Sequence, residues 1–128
     1  MKLNRIKLSS EASDRLKQLQ ARTGLKPNIL SRIGFCLSLT EPSVPNSNSH
    51  PEEDREFNRY TLLGEWDGLY VALLKQRVLH DGLPEDQLEA QFRAHIHRGV
   101  LSLGRVAKSL SDVVRLSQQA TTQLPANA

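Results

Sequence analysis

The first forty residues decide the fold: Leu3-Asn4-Arg5-Ile6-Lys7-Leu8, then Ser9 to Arg22, then Thr23-Gly24-Leu25-Lys26-Pro27-Asn28, then the apolar run from Ile29 to Leu39. Ile6 and Leu8 alternate with basic residues, which predicts a short half-buried strand with a basic outer face. A serine cap, apolar residues at helical spacing and Gly24 predict a helix that ends at the turn, and Pro27 suits the start of a second helix.

The second helix is apolar over an unusually wide arc. One face carries Ile29, Ile33, Cys36 and Leu37, and the arc is widened by Leu30, Phe35 and Leu39. A helix that is apolar nearly all round requires cover, so we expect either another subunit or the second half of the chain to pack on it. Cys36 is expected to be a small buried core residue; the alternative is a sulfur-carrying nucleophile, which needs an accessible, electropositive setting.

Charge is distributed unevenly along the 128 residues. Residues 1–40 hold eight Lys or Arg against two acids (net +6), residues 41–92 have net −7, and residues 93–128 have net +4. Such asymmetry indicates a polyanionic partner. Aromatic residues make up only 5%, which argues against a surface that stacks single-stranded bases. The lone cysteine and the absence of an apolar run of signal or membrane-spanning length predict a cytoplasmic protein.

The length predicts one domain spanning 1–128, divided into a basic strand-helix-helix unit (1–40), a polar loop (41–56), a helical part (57–116) and a tail (117–128). Three prolines among polar residues predict that the loop is mobile, and the tail is expected to fray. Residues 57–63 fit either a strand or the start of a helix. The helical part begins with apolar residues at strong helical spacing from Trp66 to Val78. Gly99 is a candidate helix break at the last apolar stripe, which continues from Val100. The fold class is therefore mainly α, with a C-terminal helical bundle.

No catalytic constellation stands out, and no glycine-rich phosphate loop is present in the sequence. His95 and His97 point about 200° apart on a helix, so they suit a shared metal poorly, and we expect one at the core edge and one in solvent. The acids Glu52-Glu53-Asp54 have no spaced-ligand pattern and are expected to be a solvated loop face. We expect no cofactor and no metal.

The basic residues of the first forty positions remain as candidate functional residues. Lysines and arginines near a helix N-terminus can bind DNA phosphates by counterion release, with strong salt dependence and little sequence preference. The predicted contacts are Arg5, Lys7, Lys17, Arg22, Lys26 and Arg32. Arg32 has an alternative role, which is to pair within the helix bundle.

The order strand, helix, Thr-Gly-x-x-Pro-Asn turn, helix resembles a ribbon-helix-helix unit, in which strands of two subunits pair. More specifically, the chain resembles the family of the DNA sulfur modification protein DndE. The matching stretches are residues 4–9, 16–19 and 23–29, Arg59-Tyr60-Thr61-Leu62-Leu63-Gly64-Glu65, and His97-Arg98-Gly99-Val100.

This resemblance implies a non-catalytic accessory role in replacing a DNA phosphate oxygen by sulfur. It also implies a tetramer that prefers nicked duplex DNA, and partner proteins that include a cysteine desulfurase, an iron–sulfur protein and an ATPase. Two other functions stay open on the residues: a sequence-specific ribbon-helix-helix repressor, and a protein–protein adaptor that binds no DNA.

Overall fold

The computed structural model describes residues 5–47 and 56–123. The acidic run 52–54, part of the proline-rich loop and residues 124–128 lie outside this part, as do the first four residues. The elements are, in chain order, β1 (Arg5–Lys7), α1 (Ser10–Thr23), α2 (Pro27–Leu39), β2 (Glu56–Asn58), α3 (Arg59–Leu63), a 3-10 turn (Gly64–Trp66), α4 (Asp67–His80), a second 3-10 turn (Glu85–Gln87), α5 (Leu88–Val106) and α6 (Leu110–Gln123). The mainly helical fold class is confirmed; the division into one domain stays a prediction.

The N-terminal strand is paired within the chain. β1 and β2 are antiparallel, and Ile6 lies opposite Phe57, with both side chains buried. Arg5 and Lys7 point outward, which confirms the basic outer face. This strand does not depend on the same strand of a second subunit, as it would in a ribbon-helix-helix dimer, for its pairing. The reason is that the chain supplies its own partner strand directly before α3.

The first helix and the turn follow the local signals. The Ser9 hydroxyl accepts a hydrogen bond from the Ala12 amide at 3.2 Å, which satisfies one of the donors left open at the helix N-terminus. Gly24 ends the helix with φ +78°, in the left-handed region that favours glycine. Pro27 is the first residue of α2, as predicted. These local predictions are confirmed.

Backbone contact between α2 and α5 organises the core. The two helices cross at Gly34 and Gly99, where a Cβ on Gly34 would lie 2.9 Å from the carbonyl carbon of Gly99. Gly99 was a candidate break, but α5 continues through it to Val106. The glycine is needed there because any side chain would separate the helices. Cover for the apolar second helix therefore comes from the second half of the chain.

The buried face of α2 differs from the predicted one. Leu30 and Phe35 are fully buried, and Gly34 is buried between them, whereas Ile33 is only half-buried and Cys36 is exposed. The close crossing at Gly34 turns this face toward α5. The expectation of a buried Cys36 is wrong for that reason.

The second half of the chain bears on the remaining expectations. For residues 57–63 the sequence fitted either a strand or the start of a helix. The structure has both in turn, because the end of β2 is followed by α3. The tail is helical as far as Gln123, and its expected fraying stays a prediction. Among the described helices, none is long and apolar enough to cross a membrane.

Candidate nucleic-acid interface

Three of the six predicted contacts lie on α1 and in the turn that follows it: Lys17 in the middle of the helix, Arg22 in its last turn and Lys26 at the N-cap of α2. Lys17, Arg22 and Lys26 are exposed, and no acid of the described residues lies within ion-pair distance of any of them. Lys26 is the N-cap residue of α2, and no side chain caps the amides of that helix terminus. We call Lys17, Arg22 and Lys26 the turn cluster. Its open amides and cations can bind a phosphate oxygen.

Arg5 and Lys7 are separated from Arg22 and Lys26. They lie before the N-terminus of α1, and Arg22 lies in its last turn, so the 14-residue helix separates them by about 20 Å. Their surroundings are also less positive. Arg5 is 3.8 Å from Glu56, and the depression that holds Arg5 and Lys7 also contains Asp86 and Glu89. One chain therefore does not bring the six predicted residues onto one surface.

Arg32 is engaged inside the chain. Its Nε donates to the Leu62 carbonyl and its Nη2 donates to the Thr61 carbonyl at 3.3 Å. Asn28 donates to the same Thr61 oxygen at 3.1 Å. Gly64 ends α3 with φ +58°, and a Cβ there would lie 2.8 Å from Arg32 Nη2. The Pro-Asn turn and the Tyr-Thr-Leu-Leu-Gly stretch thus contact each other, and Arg32 takes the alternative role within the bundle.

Sequence reasoning missed the arginines that hold the start of the loop. Arg98 donates to the Ser38 carbonyl at 2.7 Å and the Ser43 carbonyl at 2.8 Å. Arg77 donates to the Glu41 carbonyl at 2.7 Å and pairs with the buried carboxylate of Asp81 at 3.0 Å. Residues 41–47 are therefore held by hydrogen bonds to the helices, while the rest of the loop lies outside the described residues and its mobility stays a prediction. The only sequence signal for Arg98 was its place in the His-Arg-Gly-Val stretch.

Both histidines of α5 are buried, so the expectation that one faces solvent is wrong. His95 Nδ1 and the Ser38 hydroxyl are 2.8 Å apart, and His97 Nε2 and the Ser9 hydroxyl are also 2.8 Å apart. Burial, assisted by nearby Arg98 and Arg77, lowers the pKa of His95 to about 4, so the ring is neutral at pH 7. The described residues hold no group of three potential metal ligands. The two rings bind serine hydroxyls that belong to α1 and α2.

Cys36 is exposed as a residue, but its thiol lies against Tyr70. Partial burial raises the pKa of Cys36, and the hydrogen bond with Tyr70 offsets this only in part. Burial also raises the pKa of Tyr70 to about 12. A thiol with a raised pKa is a poor nucleophile at neutral pH.

The fold and the site define the class: a small, mainly helical protein with a strand-helix-helix unit closed onto its own C-terminal helices, and with basic residues near the turn that pair with no acid among the described residues. Residues 5–111 match the family described as DNA sulphur modification protein DndE. The chain belongs to the DndE family, whose members take part in DNA phosphorothioation.

Two solved structures show the same fold. DndE from Escherichia coli B7A, involved in DNA phosphorothioation modification, is 29% identical with a TM-score of 0.67, over 80% of this chain and 98% of that one. A DndE variant with two glycines replaced by lysine is 26% identical with a TM-score of 0.62, over 80% and 97% of the two chains. No curated protein matches the chain.

Proposed function

We propose that this protein is a non-catalytic, DNA-binding accessory protein of phosphorothioate modification, and that it binds duplex DNA, with a preference for nicks, through the turn cluster. The carrying observation is the contrast in ion pairing. Arg59 pairs with Asp67 at 2.7 Å, Arg77 with Asp81 at 3.0 Å and Arg98 with Glu41 at 3.4 Å. The turn cluster is left without an acid in the described part of the chain.

The proposed binding is electrostatic. Lys26 and the open amides at the start of α2 contact one phosphate, and Lys17 and Arg22 contact others. Because each neutralised phosphate releases counterions, three contacts predict that log K falls with log salt with a slope of about −3. Such contacts read no bases, so the affinity depends little on sequence.

The proposal assigns the sulfur chemistry to partner proteins of the modification system, which include a cysteine desulfurase, an iron–sulfur protein and an ATPase. Two observations support a non-catalytic role. The raised pKa of Cys36 disfavours the thiolate that sulfur transfer needs. The side chains of His95 and His97 are buried and hydrogen-bonded to serines of the fold. A cytoplasmic location is part of the same proposal.

We further propose that the protein is a homo-oligomer, with four copies as the expected state. Tyr60, Trp66 and Leu69 are 63%, 53% and 53% exposed, although they belong to consecutive elements of the α3–α4 segment. Three large, exposed apolar side chains within one short segment support a protein contact surface there. A Trp66→Glu variant that elutes at the wild-type mass in light scattering would contradict the use of this surface.

The test of DNA binding reverses two charges of the turn cluster. Lys17→Glu with Lys26→Glu should weaken binding to intact and nicked duplexes at least about tenfold at low salt, and should make the salt slope shallower by about 2. The matched control is Lys75→Glu with Arg115→Glu, exposed cations on α4 and α6. A folded double variant that binds as tightly as the control would refute the assignment of the turn cluster.

The same titration separates the competing functions. A footprint confined to one sequence would favour the repressor, although β1 already pairs with β2 of its own chain. Absence of DNA binding by the wild-type protein at low salt would favour the adaptor. The exposed Tyr60, Trp66 and Leu69 are the specific observation in favour of that second function.

A further inference from the structure

We infer that a groove between α1 and α5 binds the terminal phosphate of a nucleotide. The groove has a volume of about 470 Å³ and is distinct from the turn cluster. Its polar lining comes from both helices and the adjoining loop. We call it the arginine groove and define it by Glu11, Arg15, His97, Arg98, Ser102 and Arg105.

Arg15 is held in place by packing, and its guanidinium has no partner among the described residues. Its aliphatic stem lies on Gly104, where a Cβ would come within 2.7 Å of Arg15 Cγ. Among the described residues, no hydrogen-bond acceptor and no acid is paired with its guanidinium. Glu11 is four residues earlier on the same helix, the spacing at which such pairs usually form. Arg15 is therefore half-buried, its stem is positioned by packing, and in the described part of the chain its guanidinium is available to an anion.

The floor of the groove is rigid. Arg98 is fixed by Ser38 and Ser43 at 2.7–2.8 Å and is paired with Glu41 at 3.4 Å. The imidazole of His97, buried beside it, is joined to the N-cap hydroxyl of α1. Arg105, at the exposed side, contacts only the Ser102 hydroxyl at 3.1 Å within the described residues. Arg15 and Arg105 are thus two available guanidiniums above a preorganised floor.

The three arginines and two glutamates that line the groove give it a net charge of +1, which favours an anion. The charges of Arg98 and Glu41 offset each other. The two positive charges of Arg15 and Arg105 then face one negative charge, that of Glu11, whose side chain is 64% exposed. By contrast, the depression beside β1 contains three bases and three acids. Guanidiniums form bidentate, charge-assisted hydrogen bonds to phosphate oxygens. The volume of the groove is larger than a phosphate group alone and lies in the range of small-ligand sites. Leu101 provides an apolar wall that a sugar or a base can contact. The chemistry is that of a nucleotide monoester phosphate, either free or at the end of a DNA strand.

The test uses the full-length protein and two probes, dAMP and a nicked duplex whose nick carries either a 5′-phosphate or a 5′-hydroxyl. Arg15→Gln with Arg105→Gln is the groove variant, and Lys75→Gln with Arg115→Gln is the control with the same charge change. We expect dAMP binding to fall at least about tenfold in the groove variant and to stay unchanged in the control. If the source is a DNA end, the wild type also prefers the 5′-phosphate and the groove variant loses this preference.

The outcomes separate this inference from the proposed function. Loss of dAMP binding without any preference for the phosphorylated nick identifies a free nucleotide as the source and supports the groove. Equal dAMP binding by the wild type and the groove variant overturns it, as does a lack of binding of both probes to the wild type. Binding of dAMP needs no duplex. The comparison of dAMP binding between the wild type and the groove variant therefore tests the groove even if the turn cluster does not bind DNA.

Discussion

Among the glycines of this protein, Gly99 should be the one whose replacement by alanine is most damaging. A Cβ there would lie 2.8 Å from the Cα of Gly34 and closer still to its carbonyl group, whereas ordinary contacts begin at 3.4 Å. Both sides of this contact are backbone, so no rotamer change relieves it. Overpacking usually costs about 1–3 kcal/mol, and we expect Gly99→Ala to reach at least the upper end. For a domain of this size that lowers the melting temperature by about 10 °C or more.

The series Gly68→Ala, Gly34→Ala, Gly99→Ala tests this reasoning by urea unfolding. Gly68 lies in α4 with nothing within 4 Å of the position that a methyl group would take, so alanine should stabilise the protein by up to about 1 kcal/mol. Gly34→Ala should destabilise, since its methyl group would meet the Gly99 carbonyl carbon at 2.9 Å. If Gly99→Ala unfolds at the same urea concentration as Gly68→Ala, the helices do not cross as closely as described.

Three further predictions concern buried and reactive groups. The pKa of His95 is lowered from 6.5 to about 4, so below pH 6.5 the unfolded chain binds more protons, and stability falls by up to about 3 kcal/mol as the pH drops toward 4. Urea midpoints across this range should vary less for His95→Asn than for the wild type, and equal pH dependence would contradict the assignment. Arg77→Leu removes the arginine partner of the buried carboxylate of Asp81, which keeps a contact with His80 Nδ1 at 3.5 Å, and should cost about 3–5 kcal/mol in thermal unfolding; a loss below about 1 kcal/mol would show that the pair is dispensable. Cys36→Ser should leave DNA affinity and phosphorothioate incorporation unchanged, and loss of incorporation with intact binding would reveal a catalytic thiol.

The residues quoted for the family resemblance turn out to have separate packing roles. In His-Arg-Gly-Val, His97 contacts the N-cap serine of α1, Arg98 anchors the end of α2 and the loop, Gly99 allows the helices to cross, and Val100 is fully buried. The stretch connects the basic N-terminal unit to α5. Substitutions here are therefore expected to affect stability before they affect DNA binding.

Local signals were sufficient for the elements of the N-terminal unit. The alternation around Ile6, the Ser9 cap, the turn glycine Gly24 and Pro27 act over a few residues, so the sequence itself shows where the strand and the two helices begin and end. The basic outer face of the strand and the exposure of the turn lysines follow from the same short-range pattern. The family was also recognisable, because its characteristic stretches are contiguous in the sequence.

Tertiary structure decided what depends on distant residues. Periodicity identified α2 as apolar, but the Gly34–Gly99 contact determines which face is buried, and it leaves Cys36 exposed. Arg32 looks like any other cation in the sequence until the carbonyls of α3 are brought beside it. The arginine groove forms only because α1 and α5 are neighbours. In each case the cause is the same: helix propensity and capping are local energies, whereas burial and ion pairing are set by residues that the fold brings together from far apart in the chain.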